Sequence, residues 1–459
     1  MNKPNIILIN CDDLGYGDLG CYGSTCNKTP HINQLAREGV LLEEFYMASP
    51  VCSPSRGAMM TGCWPPRIGF GEFDGKGVLF PGQRYGLHES ESTLPKLLKS
   101  AGYNTKIIGK WHCGDQPEFL PTNRGFDEYY GLPYSNDMGR QSGRDDSDRF
   151  PPLPLLKNDQ VIQEQPDQRG LTERYVEEAL EFIGRDRENP FFLYFAHMYV
   201  HVPLFVPRHF MEQSDNGAYG AAVECIDWTV GVLMAKLKKL NLDHNTMIIF
   251  TSDNGSRVKG EGGSNGILRG VKAETWEGGL RVPLIVRWPK NLKGGSQLKG
   301  IASSVDLLAT LCAWAGVSRQ PQNKVDSMNL GPWLEGAVSE SPRNEMFYYF
   351  KNDLEAVRQG TWKLHFSKNG RALTELYNLD LDPGETVDRA AQYPHVVQQL
   401  QALAESMRAE LGDDRLNQTG TGRRPKGEVH NAVTLTKYHP DHPYMVAMYD
   451  LADSETMAG

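Results

Sequence analysis

Short apolar runs alternate along the chain with stretches of helical spacing. "NIILIN" (5–10), "TKIIGK" (105–110), "FFLYFAH" (191–197), "MIIFTSD" (247–253) and "RVPLIVRW" (281–288) read as buried strands. Strands covered on both faces need no polar alternation, so continuous apolar character suits them. Between them, "SPSRGAMMTG", "STLPKLLKSAG" and "AAVECIDWTVGVLMAKLKKL" carry helical spacing. In the last, Val223, Ile226, Val230, Leu233 and Leu237 recur every three or four residues, the mark of an amphipathic helix. Strand–helix alternation predicts an α/β sheet rather than a β-sandwich. The pattern changes after "SPRNEMFYYF" (341–350). From there "EAVRQGTWKLHF" and "TELYNLDLDP" predict an antiparallel meander, and "PHVVQQLQALAESMRAEL" a helix packed on it. We therefore divide the chain into a main body 1–340, a smaller α+β unit 341–411 and a polar tail 412–459 that either wraps the body or is disordered.

A chain of 459 residues is long enough for one large domain and a smaller one. Hydrophobic residues at 39% and charged residues at 23% suit a globular fold. The net charge of −9 disfavours nucleic acid as a bulk partner but permits a local basic pocket for a small anion. The first apolar run, Ile6 to Ile9, is strand-length and too short for a signal or a membrane span, so a cytoplasmic location without membrane contact is expected of the chain as written. The eight cysteines form no CxxC pair, which favours reduced thiols.

In open α/β sheets, functional residues gather beyond the carboxyl ends of the strands. The residues found there are Cys11-Asp12-Asp13, Lys110-Trp111-His112, His197 with His201, and Asp253-Asn254-Gly255; Lys272 follows in "LRGVKAETWEGG". Three carboxylates and an amide oxygen suit Ca²⁺ or Mg²⁺ better than Zn²⁺, which prefers His and Cys. Singly, each has a plainer reading: Asp-Asp caps helices and Asp-Asn-Gly makes turns. In "VCSPSRGAMMTG", Cys52 stands at the mouth of a predicted helix with Pro54 in its first turn. Unpaired N–H groups and the helix dipole favour an anion there, so Cys52 reads as a nucleophile or anion site, or as a buried structural cysteine.

Together these stretches resemble the formylglycine-dependent sulfatases of the arylsulfatase A and N-acetylgalactosamine-6-sulfatase type. The resemblance rests on "NIILINCDDLGYGDLGCYG", "CSPSRGAMMTG", "GKWHCG", "NRGFDEYYGLPYS", "FFLYFAHMYVHVP", "IIFTSDNG", "GGSNGILRGVKAETWEGGLRVP" and "ELYNLDLDPGE", which lie in family order to about residue 386. It implies an alkaline-phosphatase-like fold: a large mixed, mostly parallel sheet flanked by helices, with a smaller C-terminal antiparallel-sheet and helix unit. It implies that a separate maturation enzyme oxidises Cys52 to formylglycine. The aldehyde hydrate would offer one hydroxyl to attack sulfur and another to release sulfate, where a serine would stay trapped as its ester. Asp12, Asp13, Asp253 and Asn254 would bind Ca²⁺ (Mg²⁺ as the alternative), which also touches position 52. Arg56 and Lys110 would hold the hydrate and the carboxylates, and His112 would be the base that triggers collapse. His201 and Lys272 would bind sulfate and protonate the leaving oxygen, and Ser135 would lie near the hydrate.

The sequence departs from the pattern at Cys63, where the family places Arg or Lys, and His197 has no assigned role. A phosphodiesterase or phosphonate hydrolase of the same superfamily would carry Asp-His-Gly where this chain has Asp253-Asn254-Gly255. A non-catalytic binder would have lost a catalytic position. The expected substrate is a terminal sulfated sugar of galactose or N-acetylgalactosamine type, with aryl or steroid sulfates as the alternative. Loops 71–90 and 135–150 are expected to select it, with Arg84, His88, Asn136 and Asp137 as contacts to hydroxyl groups.

Overall fold

The computed structural model describes residues 3–140, 150–186, 188–368 and 370–444. Its main sheet runs in the order Ser296–Leu298, Val40–Tyr46, Arg281–Arg287, Thr246–Ser252, Asn5–Cys11, Phe191–Ala196, Asn104–Gly109, Glu128–Gly131, Pro154–Lys157, Gln160–Glu164. The five strands from Thr246–Ser252 to Glu128–Gly131 are mutually parallel. Arg281–Arg287 enters antiparallel to both its neighbours, which makes the sheet mixed.

Alternation along the first strand explains why "NIILIN" is apolar throughout. Ile7 and Ile9 pack with Leu35, Val176, Phe182, Val223 and Val230, residues of the helices Pro30–Arg37, Leu171–Gly184 and Gly217–Lys239. Ile6 and Leu8 pack on the opposite face with Met59, Leu97 and Leu308, from the helices Cys52–Thr61, Leu94–Ser100 and Asp306–Trp314. A sheet buried on both faces by helices is the three-layer α/β arrangement. Gly217–Lys239 is long and apolar enough to cross a bilayer, but 78% of its most apolar window is buried inside the protein.

A second sheet, Glu345–Phe350, Asp353–Gln359, Trp362–Lys368 and Arg371–Asn378, is an antiparallel meander with the helix Pro394–Leu411 upon it. Its core is shared with the main body: Tyr46, Ala58, Trp64 and Leu280 pack with Met346, Tyr348, Leu364, Leu400 and Leu411. Beyond Leu411 the chain wraps back over the body, pairing Gly427–Glu428 with Tyr85–Gly86. All eight cysteines are unpaired.

Candidate active site

Each of the five parallel strands delivers polar side chains at its carboxyl end. Asp12 and Asp13 follow Cys11; Asp253 and Asn254 follow Ser252; His201 follows the strand that ends at Ala196. Lys110 and His112 follow Gly109, and Ser135 follows the strand that ends at Gly131. The parallel register brings these loops to one edge, facing the first turn of the helix Cys52–Thr61, every residue of which is buried.

Ligating atoms of Asp12, Asp13, Cys52 and His201 lie within 4.8 Å of one another. Cys52 Sγ is 3.6 Å from Asp12 Oδ1. Lys110 Nζ donates to Asp12 Oδ2 at 2.6 Å and to Ser135 Oγ at 3.3 Å. Arg56 donates from Nε to Asp253 Oδ2 at 2.8 Å and from Nη1 to the Lys110 carbonyl at 3.0 Å. Lys272 Nζ donates to Asp13 Oδ2 at 3.0 Å. Asn254 Nδ2 donates to Asp13 Oδ1 at 2.7 Å, and Asp13 N to Asp253 Oδ1 at 3.2 Å. Asp13 and His112 have φ values of 63° and 62°, a region non-glycine residues enter only when their surroundings hold them there.

The charges are finely opposed. Burial and the neighbouring Asp12 carboxylate push Asp253 up to about 6, despite Arg56. Burial also acts to raise Asp13, but Lys272, helped by the Asn254 hydrogen bond and Lys110, outweighs it and holds its carboxyl well below the usual range. Burial pushes the Cys52 thiol up, although Lys110 and Lys272 oppose the shift. As an unmodified thiol Cys52 would therefore be a poor nucleophile. Asp12, Asp13 and Asp253 are matched by Arg56, Lys110 and Lys272. One divalent cation would leave two net positive charges, suited to an anionic ester. The donor set fits such an ion: carboxylate oxygens converge, and Asn254 Oδ1 is buried with no hydrogen-bond partner.

Two histidines are held as neutral rings. His112 Nε2 donates to the Leu79 carbonyl at 2.9 Å, which leaves Nδ1 buried and bare. Burial, then the Lys110 ammonium, push its pKa well below the ordinary value. His201 Nδ1 donates to the Val202 carbonyl at 2.5 Å, so Nε2 faces Asp13 Oδ2 at 3.8 Å. Burial and Lys272 lower its pKa to about 4. His197 sits apart from this set, its Nδ1 accepting from Tyr199 N at 3.0 Å.

The four expected contacts to substrate hydroxyl groups are placed differently from one another. Asn136 is buried and donates to Gln168 Oε1 and the Pro203 carbonyl, and Asp137 is buried where it acts electrostatically on His201. Arg84 turns outward to Glu428 and the Tyr85 hydroxyl, and His88 Nδ1 contacts Ser90. Residues 141–149 of the predicted loop 135–150 lie outside the described residues. Sequence reasoning missed Ser53 and Ser55: Ser55 Oγ donates to the Asp253 carbonyl, and Ser53 Oγ accepts from Leu79 N. It also missed Asn265, whose side chain binds both backbone groups of Ser256, which in turn accepts from Lys272 N. The only cue for either serine was its place beside Cys52.

The sulfatase family model matches residues 4–317, and the model described as "N-sulphoglucosamine sulphohydrolase, C-terminal" matches 272–410. The chain is 37% identical to arylsulfatase A of Homo sapiens, over 89% of this chain and 88% of that protein. It is 38% identical to N-acetylgalactosamine-6-sulfatase of Sus scrofa, over 84% of this chain and 76% of the relative. Among solved structures it is similar to Ps i-CgsB in complex with k-i-k-neocarrahexaose, with a TM-score of 0.79, 31% identity, and coverage of 88% of this chain and 93% of that one.

Proposed function

The chain belongs to the sulfatase family, and from that premise we propose that it hydrolyses the sulfate ester of a terminal sugar, using formylglycine made from Cys52 and one Ca²⁺. The observation that carries this reading is the convergence of Asp12, Asp13, Cys52 and His201 donor atoms within 4.8 Å, ringed by Arg56, Lys110 and Lys272.

The oxygens of Asp12, Asp13, Asp253 and Asn254 are the donors for the cation, whose chemistry is Lewis-acid polarisation of a sulfate oxygen and orientation of position 52. Formylglycine supplies, as its hydrate, a nucleophile with a second hydroxyl for release. Lys110 fixes Asp12 beside position 52, and Arg56 fixes Asp253 and the Lys110 backbone, so the carboxylates need no reorganisation when substrate arrives. His112, neutral with Nδ1 bare, is built to accept a proton from the hydrate. Lys272 remains an ammonium, because Asp13 and Asp12 raise its pKa against the effect of burial. It neutralises the bound sulfate and delivers a proton to the leaving oxygen, help typically worth about 10²–10⁴ in rate, with the neutral His201 ring facing the same Asp13 carboxylate.

A sugar substrate is supported by likeness to N-acetylgalactosamine-6-sulfatase and to a protein solved with neocarrahexaose. The net charge of −9 disfavours a long cationic groove for a polyanion and favours a pocket for one terminal unit. Binding of that unit would position the ester for attack. Comparing kcat/KM for the 4- and 6-sulfates of N-acetylgalactosamine with an aryl and a steroid sulfate tests this. We expect a sugar to win. A clear preference for the aryl or steroid ester would overturn the carbohydrate assignment and leave the sulfatase standing.

A further inference from the structure

We propose that the C-terminal strap, residues 424–436, is a positioning device for the active site, setting the orientation of His112 from outside. The proposal rests on the catalytic reading of Cys52 and His112 given above.

The loop between Glu72 and Leu87 has two working sides. Its inner side touches the site twice through one residue: Leu79 N donates to Ser53 Oγ at 3.0 Å, and the Leu79 carbonyl accepts from His112 Nε2 at 2.9 Å. That second bond decides which ring nitrogen carries the proton. A carbonyl can only accept, so Nε2 is the N–H and Nδ1 keeps the lone pair a base needs.

The outer side of the same loop is gripped by the strap. Gly427 and Glu428 pair antiparallel with Gly86 and Tyr85, and Val429 N donates to the Arg84 carbonyl at 2.9 Å. Lys426 Nζ donates to the Glu72 carbonyl at 2.8 Å and lies 4.4 Å from the Tyr85 ring centre. Gln116 holds both backbone groups of Val433, at 2.9 and 3.0 Å. Its neighbour Asp115 accepts from Gly82 N at 2.6 Å, tying the loop to the segment that carries His112. Arg424 anchors the near end on Glu91 through two hydrogen bonds and brings its guanidinium to 3.4 Å from Cys63 Sγ, where the family pattern has a basic side chain. Past the strap's middle, Thr436 Oγ1 donates to the Pro152 carbonyl, and Tyr438 stacks under Arg140 at 3.6 Å. The tail thus spans both walls expected to select substrate.

None of the strap's contacts named here is to Cys52, His112 or a carboxylate of the cluster, so its residues act through Leu79. Loosening the strap should let Leu79 drift and cost turnover rather than substrate affinity. A group displaced by roughly 1 Å can lose about a hundredfold in rate. The test uses full-length enzyme with conversion of Cys52 verified as equal by peptide mass spectrometry. Val429→Pro removes the N–H that binds the Arg84 carbonyl, and Val429→Ala keeps it. We expect Val429→Pro to lower kcat by about ten- to a hundredfold with KM within about twofold of wild type, and Val429→Ala to retain kcat. Should Val429→Pro not fold, Lys426→Met, which deletes the bond to the Glu72 carbonyl, is read in the same way. Unchanged kcat in the variant read, or equal losses in the proline and alanine forms, would overturn the strap's role. Absence of sulfatase activity in the wild type would instead overturn the catalytic reading beneath it.

Discussion

At the residue scale, the account makes a claim about charge that metal content can check. Asp13 accepts from Lys272 and Asn254 and faces His201, so it links the proposed cation donors to the side chains around them. Asp13→Asn keeps the shape and deletes one negative charge. We expect the purified variant to lose a cation that the wild type holds at about one per chain, and sulfate turnover with it. Elemental analysis for calcium, magnesium and zinc checks this independently of activity, and stoichiometric zinc in active wild type would contradict the donor argument. Much of this site was legible in the sequence because hard-oxygen donors, lysines and histidines each followed a recognisable strand. The supporting shell was not. Ser53, Ser55, Leu79 and Asn265 are ordinary residues whose role comes from hydrogen bonds that only the folded chain sets up, as when Ser55 meets the Asp253 carbonyl. No local pattern encodes such a partner.

At the element scale, a buried polar network joins the second sheet to the body. Glu277 accepts from the Tyr46 and Tyr348 hydroxyls at 2.6 and 3.0 Å and pairs with Lys363 Nζ at 3.0 Å. Lys363 also pairs with Glu385 at 2.9 Å, which contacts His365 Nε2 at 2.8 Å; Lys363, Glu277 and Glu385 are fully buried. Removing one partner of such a set leaves a charge stranded, so Lys363→Met should cost about 3–5 kcal/mol. The pH sign follows from Glu277. Burial opposes its ionisation, yet Lys363, Arg358 and Arg281 lower its pKa from 4.5 to about 2. A depressed carboxyl contributes stability that is complete above 4.5 and is lost as pH falls toward 2. Denaturant titrations from pH 6 to 2 should show that loss in the wild type and a flatter profile in Glu277→Gln; parallel profiles would refute it. The central strands and the helices Cys52–Thr61, Gly217–Lys239 and Pro394–Leu411 were legible from apolar runs and helical spacing. Val40–Tyr46 was not singled out, since "VLLEEFY" carries two glutamates, and the antiparallel entry of Arg281–Arg287 depends on pairing with residues far away in sequence.

At the scale of the whole molecule, an acidic protein buries a cluster whose fixed charges balance before any ion is added. That arrangement suits the proposed small anionic ester better than a long polyanion. The tail, which composition alone left open between wrapping and disorder, wraps: Gly427–Glu428 pair with Tyr85–Gly86, Thr436 reaches Pro152 and Tyr444 reaches Glu164. Its polar sequence hid this because it binds through hydrogen bonds and ion pairs rather than an apolar face. The proposed function turns on one residue, since burial raises the pKa of the Cys52 thiol and makes it a poor nucleophile as it stands. The most direct measurement is therefore peptide mass spectrometry across residue 52 in preparations of graded specific activity. The account predicts a peptide in which sulfur is replaced by oxygen with loss of two hydrogens, in a fraction that rises in proportion to kcat per chain. Full turnover from protein that carries only the unmodified thiol would contradict it.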